Sequence, residues 1–150
     1  MSLNYREKIV ALWIVFLLGT LFHTQLALMP LFHGLSVIES QKATSINEIS
    51  GIMWLMLGFF SLPMLAIIAT VFTDARRYRV IHFALTVFYT VMNLSHVIVD
   101  LLLPQVIWYQ ITLMVLLFLI GLLLNIVAFQ WMKAPLRNNN RFSEPLTTQR

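Results

Sequence analysis

The sequence predicts an all-α integral membrane protein, a four-helix bundle running up, down, up and down. Three observations lead to it. Hydrophobic residues make up 59% of the chain and charged residues only 11%, a balance that suits lipid rather than water. Four apolar segments are each long enough to cross a bilayer. Nine of the ten basic residues fall on one side of the alternating layout those segments imply.

The spans run from about Ile9 to Met29, Ile49 to Phe72, Val80 to Leu103 and Ile107 to Trp131. About 20 residues at ~1.5 Å each cross a hydrocarbon core of about 30 Å. A helix pairs all its backbone groups within one segment, so the spans are helical despite many β-branched residues. The first span follows Arg6 and Lys8, as a signal peptide would. It is too long for an h-region and no small-residue cleavage site follows, so it is expected to be retained.

Arg6 and Lys8 precede the first span, Arg76, Arg77 and Arg79 separate the second from the third, and Lys133, Arg137, Arg141 and Arg150 follow the fourth. Only Lys42 lies opposite. The positive-inside rule therefore puts both termini in the cytoplasm. Trp54, Trp108, Tyr109 and Trp131 fall near span ends, where interfacial aromatic belts form. The bundle is expected over residues 1–132. From 133 to 150, Pro135, three consecutive asparagines and Pro145 suggest a disordered cytoplasmic tail.

Short connections make consecutive helices antiparallel neighbours. Gly51, Gly58 and Ser61 share a side of the second span, where small residues would let another helix approach closely. The net charge of +4 does not indicate nucleic-acid binding, because the basic residues flank apolar spans instead of forming a soluble basic face. The expected partners are the lipid bilayer and either further copies of the chain or a larger membrane complex.

The third span carries the chemical information. His82, Thr86, Tyr89, Asn93, His96 and Asp100 follow at alternating steps of four and three residues, so all share one face. Arg79 extends that stripe, while most intervening positions are apolar. A charged residue facing lipid at a helix centre costs about 2.5–3.5 kcal/mol, so the stripe should face the bundle interior or a hydrated cavity. One reading makes it interhelical glue, with Thr20 and Asn125 as partners; such bonds contribute only about 0.6 kcal/mol each.

The other reading is a site. His96 and Asp100, four residues apart, can place two ligands on one ion. His23 lies 13 residues beyond Val10 and His96 16 beyond Val80, which are depths of about 20 and 24 Å. Three donors from two helices can therefore converge. His33 is about 15 Å from His23 along a continuous helix and could join only through a break at Pro30; otherwise it is a solvated loop residue. Glu48 could be a ligand, but an exposed acidic residue at a helix N-terminus is the simpler reading.

His23, His96 and Asp100 would suit zinc, copper or iron. Haem b would instead need His23 and His96 as axial ligands across a flat cavity, with Gly19 making room for the ring. His82, about 21 Å from His96, cannot join this site and is expected at the headgroup level beside the arginines. If the whole stripe acts, His82, Tyr89, His96 and Asp100 are stations for ion or proton transfer.

Cysteine is absent, which excludes disulfides and thiolate metal sites and leaves histidine, carboxylate and methionine as possible ligands. There is no P-loop, dinucleotide fingerprint, nucleophile elbow or H-E-x-x-H. Ser95 beside His96 is no nucleophile–base pair, since adjacent helical residues diverge. No catalytic residue is indicated, and the expectation is a protein that is not an enzyme.

Overall fold

A computed structural model describes residues 4–37, 43–102 and 106–135. The described chain is all-helical, with α1 at Tyr5–Phe32, α2 at Ile46–Phe72, α3 at Arg76–Leu101 and α4 at Trp108–Lys133. Each is long and apolar enough to span a membrane. Lys42, Leu103 and most of the expected tail lie outside the described residues.

The helices begin and end where local chemistry allows. At the start of α1, Asn4 and Glu7 form a capping box, with the Asn4 backbone N–H donating to the Glu7 carboxylate at 3.0 Å. Pro30 does not break this helix, contrary to the route by which His33 might have folded back. The helix runs on to Phe32, and Gly34, whose φ is +76°, turns the chain away just beyond the His33 cap. There Leu35 N–H donates to the Pro30 carbonyl and Gly34 N–H to that of Leu31, the paired bonds of a Schellman cap.

Arginines close two other helix ends. The Arg6 guanidinium donates to the Thr70 carbonyl at 2.7 Å and also to that of Val71, at the end of α2. Arg79 donates to the carbonyls of Trp131 and Ala134, at 2.9 and 2.6 Å, at the end of α4, and pairs with Asp74 at 2.8 Å. These are cations at helix C-termini, where the dipole and the unpaired carbonyls favour them.

α4 packs against both α1 and α3, and α1 also packs against α2. α1 and α3 face one another across the centre through Trp13 with His82 and Tyr89, Phe16 with Tyr89, and His23 with His96. α2 reaches α3 mainly through two tyrosines: Tyr78 donates to the Ala66 carbonyl at 2.7 Å and Tyr89 to the Phe59 carbonyl at 2.6 Å. The second bond has a cause in the sequence. Pro63 lacks the N–H that would normally bond residue 59, and the Tyr89 phenol satisfies the freed carbonyl.

Buried residues of α2 are Pro63, Ala66 and Thr70, all in its second half. Residues 51–58 are exposed on every side. Gly51 and Gly58 therefore face open space among the described residues, and the close helix approach expected of them occurs instead at Gly19 against Leu117 and Gly121 against Thr90.

Polarity across α3 is the reverse of a water-soluble helix. Its buried residues are Arg79, His82, Thr86, Tyr89, Thr90, Asn93 and Val97, while Val80, Ile81, Phe88, Val91 and Ile98 are exposed. Hydroxyls on the helices bond back to their own backbones, as Thr20 does to Phe16, Thr70 to Ala66, Thr90 to Thr86 and Ser95 to Val91. Thr20 is thus satisfied within α1 rather than by the α3 stripe. Asn125 does reach α3, donating to Thr90 Oγ1 at 3.0 Å.

Candidate metal centre

Of the stripe residues, His82, Thr86, Tyr89 and Asn93 are buried, while Asp100 is partly buried and His96 exposed. The helical period brings them to one face, and contacts with the other helices divide them into three groups with different chemistry.

The group nearer the arginines is closed. His82 is 1% exposed, not at a headgroup surface as its neighbourhood in the sequence implied. Trp13 Nε1–H donates to His82 Nε2 at 3.2 Å, so that nitrogen is the acceptor of a neutral ring. His82 Nδ1 lies 3.2 Å from the Tyr78 hydroxyl and 3.4 Å from Thr70 Oγ1. The Tyr78 and Thr70 hydroxyls both reach the Ala66 carbonyl. Both ring nitrogens are engaged, and no donor is left for a metal. Trp131, assigned by sequence to an aromatic belt, is instead buried with its ring against His82 and beneath Arg79, whose guanidinium carbon lies 5.3 Å from the ring centroid. Trp54, Trp108 and Tyr109 are exposed.

The middle of the stripe is a packing zone. Tyr89 sits edge-on to Trp13 and Phe16 and is tied to Phe59. Thr86 Oγ1 donates to the Phe83 carbonyl.

The far end is different. His23, His96 and Asp100 each offer a ligand atom, and these atoms all lie within 4.8 Å of one another. The imidazoles of His23 and His96 meet edge to face with centroids 5.5 Å apart. His96 Nε2 stands 3.5 Å from Asp100 Oδ2, an ion-pair contact too long for a good hydrogen bond. His23 Nδ1 and Asp100 Oδ2 are buried without a hydrogen-bond partner among the described residues. Buried polar atoms left without a hydrogen bond in this way are unusual in folded proteins and call for an explanation. A tetrahedral ion with bonds of about 2.0–2.1 Å needs donors about 3.4 Å apart, so small side-chain rotations would close the set.

α4 packs against both helices that carry the trio, whereas α2 buries no residue before Pro63, and the His96 side chain is 53% exposed. His33 does not join. It caps α1 in an exposed position, ten residues beyond His23. Glu48 accepts from the Thr44 hydroxyl at 2.6 Å and backbone N–H at 3.0 Å, a local bond set at the start of α2. Gly19, expected to make room for a macrocycle, lies directly against Leu117.

Sequence reasoning did not single out Trp13, Tyr78, Thr70 or Met114. Tyr78 precedes His82 by one turn and was legible as a same-face neighbour. The others come from different helices, and nothing in their local sequence marks them. No family model, curated protein or solved structure matches the chain.

Proposed function

We propose that this is a multi-pass membrane protein that binds a metal ion through His23, His96 and Asp100 near its non-cytoplasmic face. The helices run up, down, up and down, and both termini are cytoplasmic. The observation that carries the reading is the convergence of two imidazoles and one carboxylate from α1 and α3, with two of their polar atoms buried and without a hydrogen bond among the described residues. Supporting the membrane setting is the reversed polarity of α3, apolar outside and polar within. Supporting the orientation is the gathering of nine basic residues on one side of the span layout.

Two imidazoles and a carboxylate suit zinc, copper or iron. Haem b suits this site less well, because the two rings touch one another and Leu117 occupies the side of α1 where a macrocycle would lie. The test is elemental analysis and a visible spectrum of detergent-purified protein. A stoichiometric metal lost in His96→Ala and His23→Ala supports the site. Metal retained in both well-folded variants, or absent from wild type after supplementation, removes it.

A second reading is an accessory subunit of a larger assembly, and α2 is the feature that favours it. Residues 51–58 are exposed, and a methyl group at Gly51 or Gly58 would meet no other atom among the described residues. Mild extraction should then yield a particle larger than one chain. Ion or proton transfer along the full stripe is less favoured, since His82 and Tyr89 are hydrogen-bonded within closed clusters. Absence of flux in liposomes would exclude it.

A further inference from the structure

Resting on the metal-site reading above, we propose that the ion is copper, held in its cuprous state with the Met114 thioether as an added ligand and the Asn93 amide beside it.

The argument begins with register. Contacts between α3 and α4 run in opposite chain directions, since Arg79 meets Trp131 and Asn93 meets Met114. α1 faces α3 in the same direction, from Trp13 at His82 to His23 at His96, so α1 and α4 also run oppositely. Gly19 lies against Leu117, so His23, four residues on, comes level with Leu113. Thr90 lies against Gly121, so His96, six residues on, comes level with Val115. By these contacts Met114 falls between the two positions on the helix that packs against both α1 and α3, and its sulfur itself meets Asn93, one turn before His96. It is 5% exposed and belongs to the bundle interior.

The second observation is Asn93. It lies one turn before His96, is 7% exposed, and its Oδ1 has no hydrogen-bond partner among the described residues. Its amide nitrogen lies 3.9 Å from the Met114 sulfur, a weak contact for a group that normally makes several hydrogen bonds. An asparagine buried with its carbonyl unpaired carries a cost that an adjacent cation would offset.

The chemistry then selects the metal. A thioether is a soft, neutral donor that binds copper(I) well and zinc, magnesium or calcium poorly, whereas imidazole accepts copper or zinc. With no cysteine in the chain, methionine is the only soft donor available. The set is thus graded: Asp100 and the exposed His96 form its open side, and Met114 its buried side. Methionine is unbranched and can swing its sulfur toward the imidazoles without backbone movement.

The experiment uses the full chain in detergent, titrated anaerobically with copper(I) against a chromophoric chelator and separately with zinc(II). Met114→Leu nearly conserves volume and should fold. It is expected to weaken copper(I) binding by about tenfold or more while leaving zinc(II) binding unchanged, and to remove a sulfur shell from the copper X-ray absorption spectrum. His96→Ala should weaken both metals. Unchanged copper(I) affinity in Met114→Leu, or no sulfur shell in wild type, overturns the copper proposal. If zinc(II) still binds in a His96-dependent way, the underlying metal site stands. If neither metal binds wild type, both readings fall.

Discussion

Two side chains show how single residues hold this interior together. The Tyr89 phenol satisfies the carbonyl that Pro63 leaves without a donor. Tyr89→Phe should therefore cost about 1–3 kcal/mol, the penalty of an orphaned buried carbonyl. Pro63→Ala restores an N–H to that carbonyl, so in the double variant the Tyr89→Phe penalty should shrink. Thermal unfolding of the four proteins in detergent measures this coupling, and strict additivity would refute the assignment. Arg79 is 3% exposed, bonds the carbonyls of Trp131 and the C-cap Ala134 at the end of α4, and pairs with Asp74. Arg79→Ala should cost about 1.5–3 kcal/mol, the range for hydrogen bonds to a charged group. Arg79→Lys should recover only part of it, because an ammonium cannot span Asp74 and the carbonyls as a planar fork does. A fully stable Arg79→Ala protein would show that the end of α4 needs no such cap.

Among the elements, glycines distinguish packed helix faces from open ones. A methyl group on Gly121 would come 2.9 Å from Thr90 Oγ1, which also receives the Asn125 amide. Thr90 is β-branched and stiff, so Gly121→Ala should force α3 and α4 apart and cost about 1–3 kcal/mol. Gly58 has nothing within 4 Å, and Gly58→Ala should be neutral or stabilising by up to about 1 kcal/mol through helix propensity alone. The same unfolding assay separates the two. If Gly58→Ala instead destabilises the protein and shrinks its particle on size exclusion, a second chain packs on α2. The early part of α2 is where the accessory-subunit reading would be decided.

For the molecule as a whole, orientation is the property most directly testable. The chain has no native cysteine, so single cysteines report cleanly. Leu35 and Arg77 are both exposed and lie at opposite ends of the helices. A membrane-impermeant maleimide applied to intact cells should label Leu35→Cys and spare Arg77→Cys. The reverse pattern would invert the topology and place the His23–His96–Asp100 group on the cytoplasmic side.

The sequence by itself determined the four apolar helices and the alignment of the α3 stripe, because hydropathy, span length and the helical period act along one segment at a time. It also brought His23 to the depth of His96, since the rise per residue is constant within a helix. Local patterns could not say which donors remain free. His82 was expected at the headgroup level, yet it is buried, and Trp13 and Thr70 from other helices, with Tyr78 one turn away, engage both ring nitrogens. Pro30 looked like a break, yet the helix runs on to Phe32, and Gly34 with its positive φ turns the chain away just beyond. Gly19 looked like room for a ligand, yet Leu117 of α4 fills the space beside it. For His82 and Gly19 the deciding contacts, with Trp13, Thr70 and Leu117, join different helices that only the packed structure brings together, whereas Pro30 is decided locally by the cap four residues on.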